Sequence, residues 1–263
     1  MQGEKNLGSQ GGGRLRAWAS RLAAVAFWLV VWELAARAID LKIILVGPSQ
    51  VLVRLAELVA TGEFWASVAL SFGRIALGFL AALLLGAALA ALASRWRAVR
   101  ELVAPVMGAV KAVPVASFVI LMLLWVSSRE LSIVIAFLMA LPVVYTNVLE
   151  GIEQTDPTLV EMAEVFGIRG WERVRLVYAS QVLPYARAAI SLGLGLSWKA
   201  GIAAEVIGLP DFTIGEHLYD AKVYLDTPSL FAWTVAIVAL SALVEWVVSH
   251  GMAAAQARWE ARP

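Results

Sequence analysis

Apolar positions in this chain are not scattered at helical or strand period but gathered into long blocks. Four of these, Ile75–Ala93, Leu131–Leu149, Ala186–Ala204 and Leu230–Val248, are each 19 residues long. At 1.5 Å per residue such a block makes a helix of about 28 Å, close to the hydrocarbon thickness of a bilayer. A fifth block lies within Leu102–Val126 and is broken by Pro105 and Pro114. The first, about 17–36, follows Arg14 and Arg16; it is long, rich in tryptophan and lacks a clean small-residue cleavage site, so it reads as a retained span rather than a signal peptide. Six crossings place both ends of the chain on one side. Residues 1–13, with glycine, serine and glutamine and no periodicity, read as a disordered tail, and 14–263 as a single transmembrane domain.

Two connections are too long to be turns. Residues 38–69 carry an amphipathic run (Val51, Leu52, Leu55, Leu58, Val59) after Gly47-Pro48-Ser49, which is helix-start chemistry and predicts a helix at the membrane surface. Residues 150–185 are more specific. Asp156 suits an N-cap, Pro157 the first helical position and Gly167 the left-handed residue past the end, which predicts a short helix between them. Leu159, Met162, Ala163 and Phe166 recur at i, i+3, i+4 and i+7 as an apolar stripe, with Glu161 and Glu164 off it. A second helix is expected from Trp171 to about Val182, with Arg169, Arg173 and Arg175 near its start and Leu183-Pro184 leading into the fifth span. Such short helices are marginal alone in water, so they pack either on their own bundle or into a groove on a partner.

Composition agrees with a membrane domain: 61% of the residues are hydrophobic and 16% charged, and mean hydropathy is +0.79, far from the balance of a soluble domain. The formal net charge of +1 offers no footprint for nucleic acid. Its distribution is more telling. With the N-terminus inside, 14 of the 21 lysines and arginines fall on cytoplasmic segments, which favours N-in and C-in. The absence of cysteine removes disulfides, thiolate metal sites and cysteine nucleophiles. Only two histidines exist, one in a loop expected outside and one near the inner end of the last span, so neither an imidazole metal cluster nor a membrane-embedded serine hydrolase is supported. No catalytic residues, metal site or cofactor are expected.

Glu161-Met162-Ala163, three residues, Gly167 and a later Leu-Pro resemble the EAA loop of ABC importer permeases. The flanks are similar to the nitrate, sulfonate and taurine branch: Gly47-Pro48-Ser49-Gln50-Val51, Ser71-Phe72-Gly73-Arg74 with Gly78-Phe79, Val113-Pro114-Val115-Ala116-Ser117, Arg129-Glu130-Leu131-Ser132, and Leu192-Gly193-Leu194-Gly195-Leu196-Ser197-Trp198 with Ala204-Glu205. The chain departs at Met162, where the family prefers alanine, and at Val177-Tyr178-Ala179-Ser180, which lacks the usual Leu-Pro. The resemblance implies an all-α membrane protein with the six-span, type I (MetI-like) importer architecture. It further implies a permease of the bacterial inner (plasma) membrane that forms a homodimer or heterodimer in the lipid bilayer. Cytoplasmic ABC ATPases, which use the ATP and Mg, would dock on the loop at about 150–185, and an extracytoplasmic solute-binding protein would deliver cargo. On this resemblance the ATPase-coupling residues are Leu159, Glu161, Met162, Ala163, Glu164, Phe166, Gly167 and Arg169. Independently, no Gly-x-x-x-x-Gly-Lys-Ser/Thr is present and none of the five lysines follows a glycine, so a phosphate-binding loop must lie on another polypeptide. The branch suggests a sulfonate- or nitrate-type anion as solute, with a pyrimidine vitamin precursor as the alternative. An ion-coupled secondary transporter is less well supported, since no inverted repeat is visible.

Charged or polar residues inside spans are expensive and usually face a cavity or a partner. Lys199 lies near mid-depth of the fifth span, flanked by Ser197 and Trp198, where it would either bind an anionic or polar solute or make a structural pair with another span or the dimer mate, such as Asn147 or a backbone carbonyl. Glu205, six residues on and 240° around the helix, faces other surroundings and either shapes an outer gate or caps a helix end. Beside the proline breaks, Ser117, Thr146 and Asn147 either line the path or make interhelical hydrogen bonds. The outer loop 209–229, with Asp211, Glu216, Asp220 and Asp226, reads either as a docking surface for the binding protein or as a solvated loop.

Overall fold

The structure, a computed structural model, describes residues 7–41 and 43–260. Its described residues form helices and short connections: α1 (Leu7–Ile39), α2 (Pro48–Val59), α3 (Gly62–Arg95), α4 (Arg97–Ala112), α5 (Val115–Met122), α6 (Ser128–Glu153), α7 (Pro157–Val165), α8 (Gly170–Arg173), a π-helical turn (Val174–Tyr178), α9 (Ala179–Gly208), α10 (Ile214–Val223) and α11 (Thr227–Glu260). Of the expected tail, residues 1–6 lie outside the described residues, and 7–13 belong to α1. Three consecutive glycines weaken a helix by about 1 kcal/mol each, so this extension depends on propagation from the apolar block behind it.

Among the described residues five helices are long and apolar enough to cross a membrane, and α4 with α5 is a bent pair, turned by 104°. The bend has a local cause. Val113 precedes Pro114 and adopts the extended conformation that a following proline favours, and α5 restarts with Pro114 as its N-cap. Helix pairing shows that this pair carries the chain back across. Gly78 of α3 abuts Ile133 of α6 and Gly86 abuts Val144, so α3 and α6 run parallel. Two successive parallel spans require a return crossing between them. Along it, α4 lies on the far half of α6, where Arg100 pairs with Glu153 and Met107 shares a buried cluster with Val144 and Val148, and Val119 of α5 shares one with Leu131 and Ile135 at the start of α6. Counted as one span, the bent pair brings the candidate crossings to six, which puts the start of α1 and the end of α11 on one face.

The core is the α3–α6–α9 triplet. Small residues allow it: Gly78, Ala82, Gly86 and Ala90 of α3 face Ala136 and Ala140 of α6 and Ala189 and Gly193 of α9. A Cβ added at Gly78 would collide with the Ile133 carbonyl oxygen, so the two backbones are in contact there. By contrast α1 shows its apolar side chains outward, with Leu22, Phe27, Trp28 and Leu34 all exposed, as a lipid-facing helix would. It is held at its end, where Glu33 bonds Ser49 of α2 and pairs with Arg37. The amphipathic helix expected after Gly47-Pro48-Ser49 is α2, with Pro48 at its first position and Val51 buried.

Two expectations are corrected. The helix from Trp171 does not end before Leu183-Pro184: residues Gly170–Gly208 form one continuous helix of 39 residues. Pro184 removes one backbone donor at an exposed position, which a helix packed along α6 on its other face tolerates. The extra residue of the π turn at Val174–Tyr178 absorbs the change of register. The segment 209–229 is not a loop throughout but contains α10. Its signal was in the sequence: Thr213 and Glu216 have capping-box spacing, the Thr213 hydroxyl accepts from the Glu216 N–H at 3.3 Å, and the Glu216 carboxylate reaches back to accept from the Phe212 N–H.

Candidate functional site

The α7–α8 turn protrudes from the face that carries the end of α6 and the start of α9. Asp156 caps α7 by accepting from the Thr158 N–H at 2.8 Å. At the other end Ile168 N–H donates to Ala163 O (2.8 Å) and Gly167 N–H to Glu164 O (3.0 Å), a Schellman closure. Gly167 sits at φ +72, the left-handed region that a β-carbon disfavours, so glycine is required for the reversal. Across the reversal Arg173 pairs with Glu164 at 3.0 Å. Both ends of α7 and its connection to α9 are therefore fixed.

The expected apolar stripe divides in two. Ala163 is buried and Leu159 half-buried against the bundle, while Met162 and Phe166 turn outward. Phe166 is 73% exposed, Val165 86% and Trp171 78%, a concentration of large apolar surface on a polar turn beyond the spans. Exposed contiguous apolar surface of this kind marks an interaction site. Glu161 and Arg169 are exposed at its edge. Val165 and Trp171, which pattern reading passed over, belong to it; their signal is an apolar residue on the polar side of an amphipathic helix.

Among the residues named for a path, most are absorbed by packing within this chain. Ser197 is buried and donates to Ala136 O at 2.9 Å, and the Trp198 indole donates to Ile237 O at 3.2 Å. Thr146 and Asn147 bond carbonyls of their own helix, those of Pro142 (2.7 Å) and Val143 (2.8 Å). Asn147 lies toward the far end of α6, away from the Ala136 level of Ser197, so it does not pair with Lys199. Lys199 instead is exposed, on a stripe with Leu192 and Leu196 that faces away from α3 and α6. No carboxylate among the described residues pairs with it. Ser117 is exposed on α5, the neighbour that packs on Ala200 and Ala204 of α9.

Glu205 is fully buried, with a relative exposure of 0%. Its Oε2 accepts from Ser71 Oγ at 2.7 Å and from the Gly215 N–H at 3.4 Å. On the same face a cleft of about 330 Å³ opens between α2, α3, α10 and α11, its floor formed by His217 stacked on Trp233 at 4.9 Å. The acidic residues around it are mostly engaged at home: Asp211 with Arg129 (3.6 Å), Asp226 with Ser229 (2.6 Å), and Glu216 with the Phe212 N–H.

Residues 75–251, from α3 to α11, match the family described as Binding-protein-dependent transport system inner membrane component. The chain is 27% identical to SsuC of Bacillus subtilis (strain 168), named for aliphatic sulfonates transport, over 89% of this chain and 85% of the relative. It is 25% identical to the taurine transport system permease protein TauC of Escherichia coli (strain K12), over 87% and 84%. It is 28% identical to the riboflavin transport system permease protein RibX of Chloroflexus aurantiacus (strain ATCC 29366 / DSM 635 / J-10-fl), over 64% and 61%.

Proposed function

Because the chain belongs to the binding-protein-dependent transport system inner membrane component family, we propose that it is the permease subunit of an ATP-driven importer of a small anion. ATP and Mg are used by separate cytoplasmic ABC ATPases docked on the α7–α8 turn, and solute arrives from an extracytoplasmic binding protein. The observation that carries this reading is the turn itself: Val165, Phe166 and Trp171 are exposed at 86%, 73% and 78% on a reversal fixed by Gly167 and by the Glu164–Arg173 pair. A rigid helical projection with apolar anchors suits a groove on a partner. Its basic flank, Arg169, Arg173 and Arg175, supports placing this face inside the cell, with both ends of the chain.

Two permease copies in the plasma membrane would flank the path. A mid-span ammonium facing hydrocarbon is unfavourable by about 2.5–3.5 kcal/mol on insertion scales, and among the described residues no carboxylate pairs with Lys199, so the reading places its face, with Ser117, toward the second copy and the solute. A sulfonate or similar anion fits that ammonium, and the relatives named for aliphatic sulfonates and taurine support this class. The relative named for riboflavin favours a vitamin as the second reading. Proteoliposomes holding the permease with its ATPase and binding protein test both. Taurine or an alkanesulfonate should accumulate only with ATP on the ATPase side, and riboflavin uptake in its place would select the second reading. Uptake driven by an ion gradient without ATP would overturn the importer.

A further inference from the structure

Three helices meet at one carboxylate. Glu205 is three residues from the end of α9, and its Oε2 accepts from the Ser71 hydroxyl of α3 (2.7 Å) and from the Gly215 N–H of α10 (3.4 Å). The same Ser71 oxygen accepts from the Ile214 N–H at 3.0 Å. Thus the first two amides of α10, which no helix can satisfy internally, are bound by side chains of two different spans. The backbones touch as well, since a Cβ at Gly215 would collide with Glu205 and Val206. Thr213 closes the approach by donating to Pro210 O at 2.8 Å. The other carboxylate oxygen, Oε1, is buried without a partner, as are Ser132 Oγ of α6 and Nη1 of Arg74 on α3.

The span that carries Glu205 is the one that begins at the α8 turn. Gly170–Gly208 is a single helix of 39 residues, about 58 Å long at 1.5 Å per residue. Its first turn carries Arg173, paired with Glu164 across Gly167, and its last turn carries Glu205. A displacement of that helix along or about its axis, relative to α3, separates Glu205 from Ser71, takes from the buried carboxylate its hydroxyl donor and leaves one of the two α10 amides unsatisfied, whichever span α10 stays with.

We infer that Glu205, through Ser71, is a positioning residue that makes the outer helix α10 follow the register of spans α3 and α9, and so ties the outer face to the α7–α8 turn. The coupling half of this rests on the importer reading above. Ser71→Ala removes the relay hydroxyl and leaves Glu205 with the Gly215 N–H alone, and Glu205→Leu removes the carboxylate with the whole contact; Glu205→Gln keeps one acceptor oxygen and serves as the conservative rescue. In the purified permease, hydrogen exchange of the α10 amides rises at least tenfold in Ser71→Ala and Glu205→Leu and stays within about twofold in Glu205→Gln. In the complex with ATPase and binding protein, the ratio of binding-protein-stimulated to unstimulated ATP hydrolysis falls toward one in the first two variants, while the ATPase copurifies in wild-type amount. If Glu205→Leu does not fold, Ser71→Ala decides alone. Unchanged α10 exchange, or a wild-type stimulation ratio in Ser71→Ala with ATPase attached, overturns the inference. Failure of the wild-type permease to retain any ATPase overturns the importer reading instead, and with it the coupling half, while the exchange result still decides whether Glu205 holds α10.

Discussion

Glu164 and Arg173 are nine residues apart in sequence and 3.0 Å apart in space, joined across the reversal at Gly167. The pair is half in solvent, with Glu164 63% exposed, so by itself it contributes about 0–1 kcal/mol. Its importance is geometric: with the Schellman closure it fixes the direction in which α7 leaves α9.

Gly167→Val should therefore uncouple rather than unfold. A β-branched residue at φ +72 is strained by about 1–3 kcal/mol, and the turn relieves that strain by reorienting α7, since a β-carbon meets nothing within 4 Å. In reconstituted complex, ATP hydrolysis continues while ATP-driven uptake falls at least tenfold. Wild-type uptake in this variant contradicts the role given to the turn.

Gly78→Val should destabilise the bundle itself. The new side chain meets the Ile133 carbonyl oxygen and must push α3 from α6, an overpacking of about 1–3 kcal/mol. Thermal unfolding in mild detergent measures it, with Gly73→Ala as control: nothing lies within 4 Å of an added Cβ at Gly73. Equal melting of both variants would show that α3 and α6 are not in backbone contact.

The α7 helix with both its caps, the start of α2 at Pro48 and four uninterrupted spans were legible because each depends on local chemistry: Asp156, Pro157 and Gly167, or a mostly apolar block of nineteen residues. What could not be read was direction around a helix. Ser197 and Lys199 are two residues apart, yet one is buried against Ala136 and the other exposed, because α9 packs on α3 and α6 along one side only. The same holds for Leu159 and Phe166, whose shared stripe divides between bundle and solvent. Pro184 misled for a different reason: a proline breaks an isolated helix, whereas this one is held by tertiary packing on its opposite face. The missed α10 was a misjudged signal, a Thr213–Glu216 capping box read as loop acidity.

The six crossings predict the sidedness of three exposed positions. The chain has no cysteine, so single cysteines placed at Thr61, Ser127 and Arg97 report without background. Thr61→Cys and Ser127→Cys, at the starts of the parallel helices α3 and α6, react in intact cells with a membrane-impermeant maleimide. Arg97→Cys, at the start of the return crossing, reacts only after permeabilisation. Ser127→Cys and Arg97→Cys reacting from the same side would show that α4 and α5 re-enter without crossing.

Lys199→Met should lower uptake of an anionic solute at least tenfold while leaving ATPase attachment intact, because the ammonium lies on the exposed stripe of α9 and far along that helix from the α7–α8 turn. Uptake within twofold of wild type would remove Lys199 from the path.

If the α7–α8 turn is the ATPase dock, changing it should release the ATPase. The most direct test is mild-detergent copurification of the tagged permease against a Glu161→Ala, Gly167→Val double variant. Wild type should carry two ATPase chains for every two permease chains, and the variant should lose the ATPase. A wild-type permease that purifies alone under several detergents, or a variant that retains the ATPase in full amount, would contradict that role of the turn.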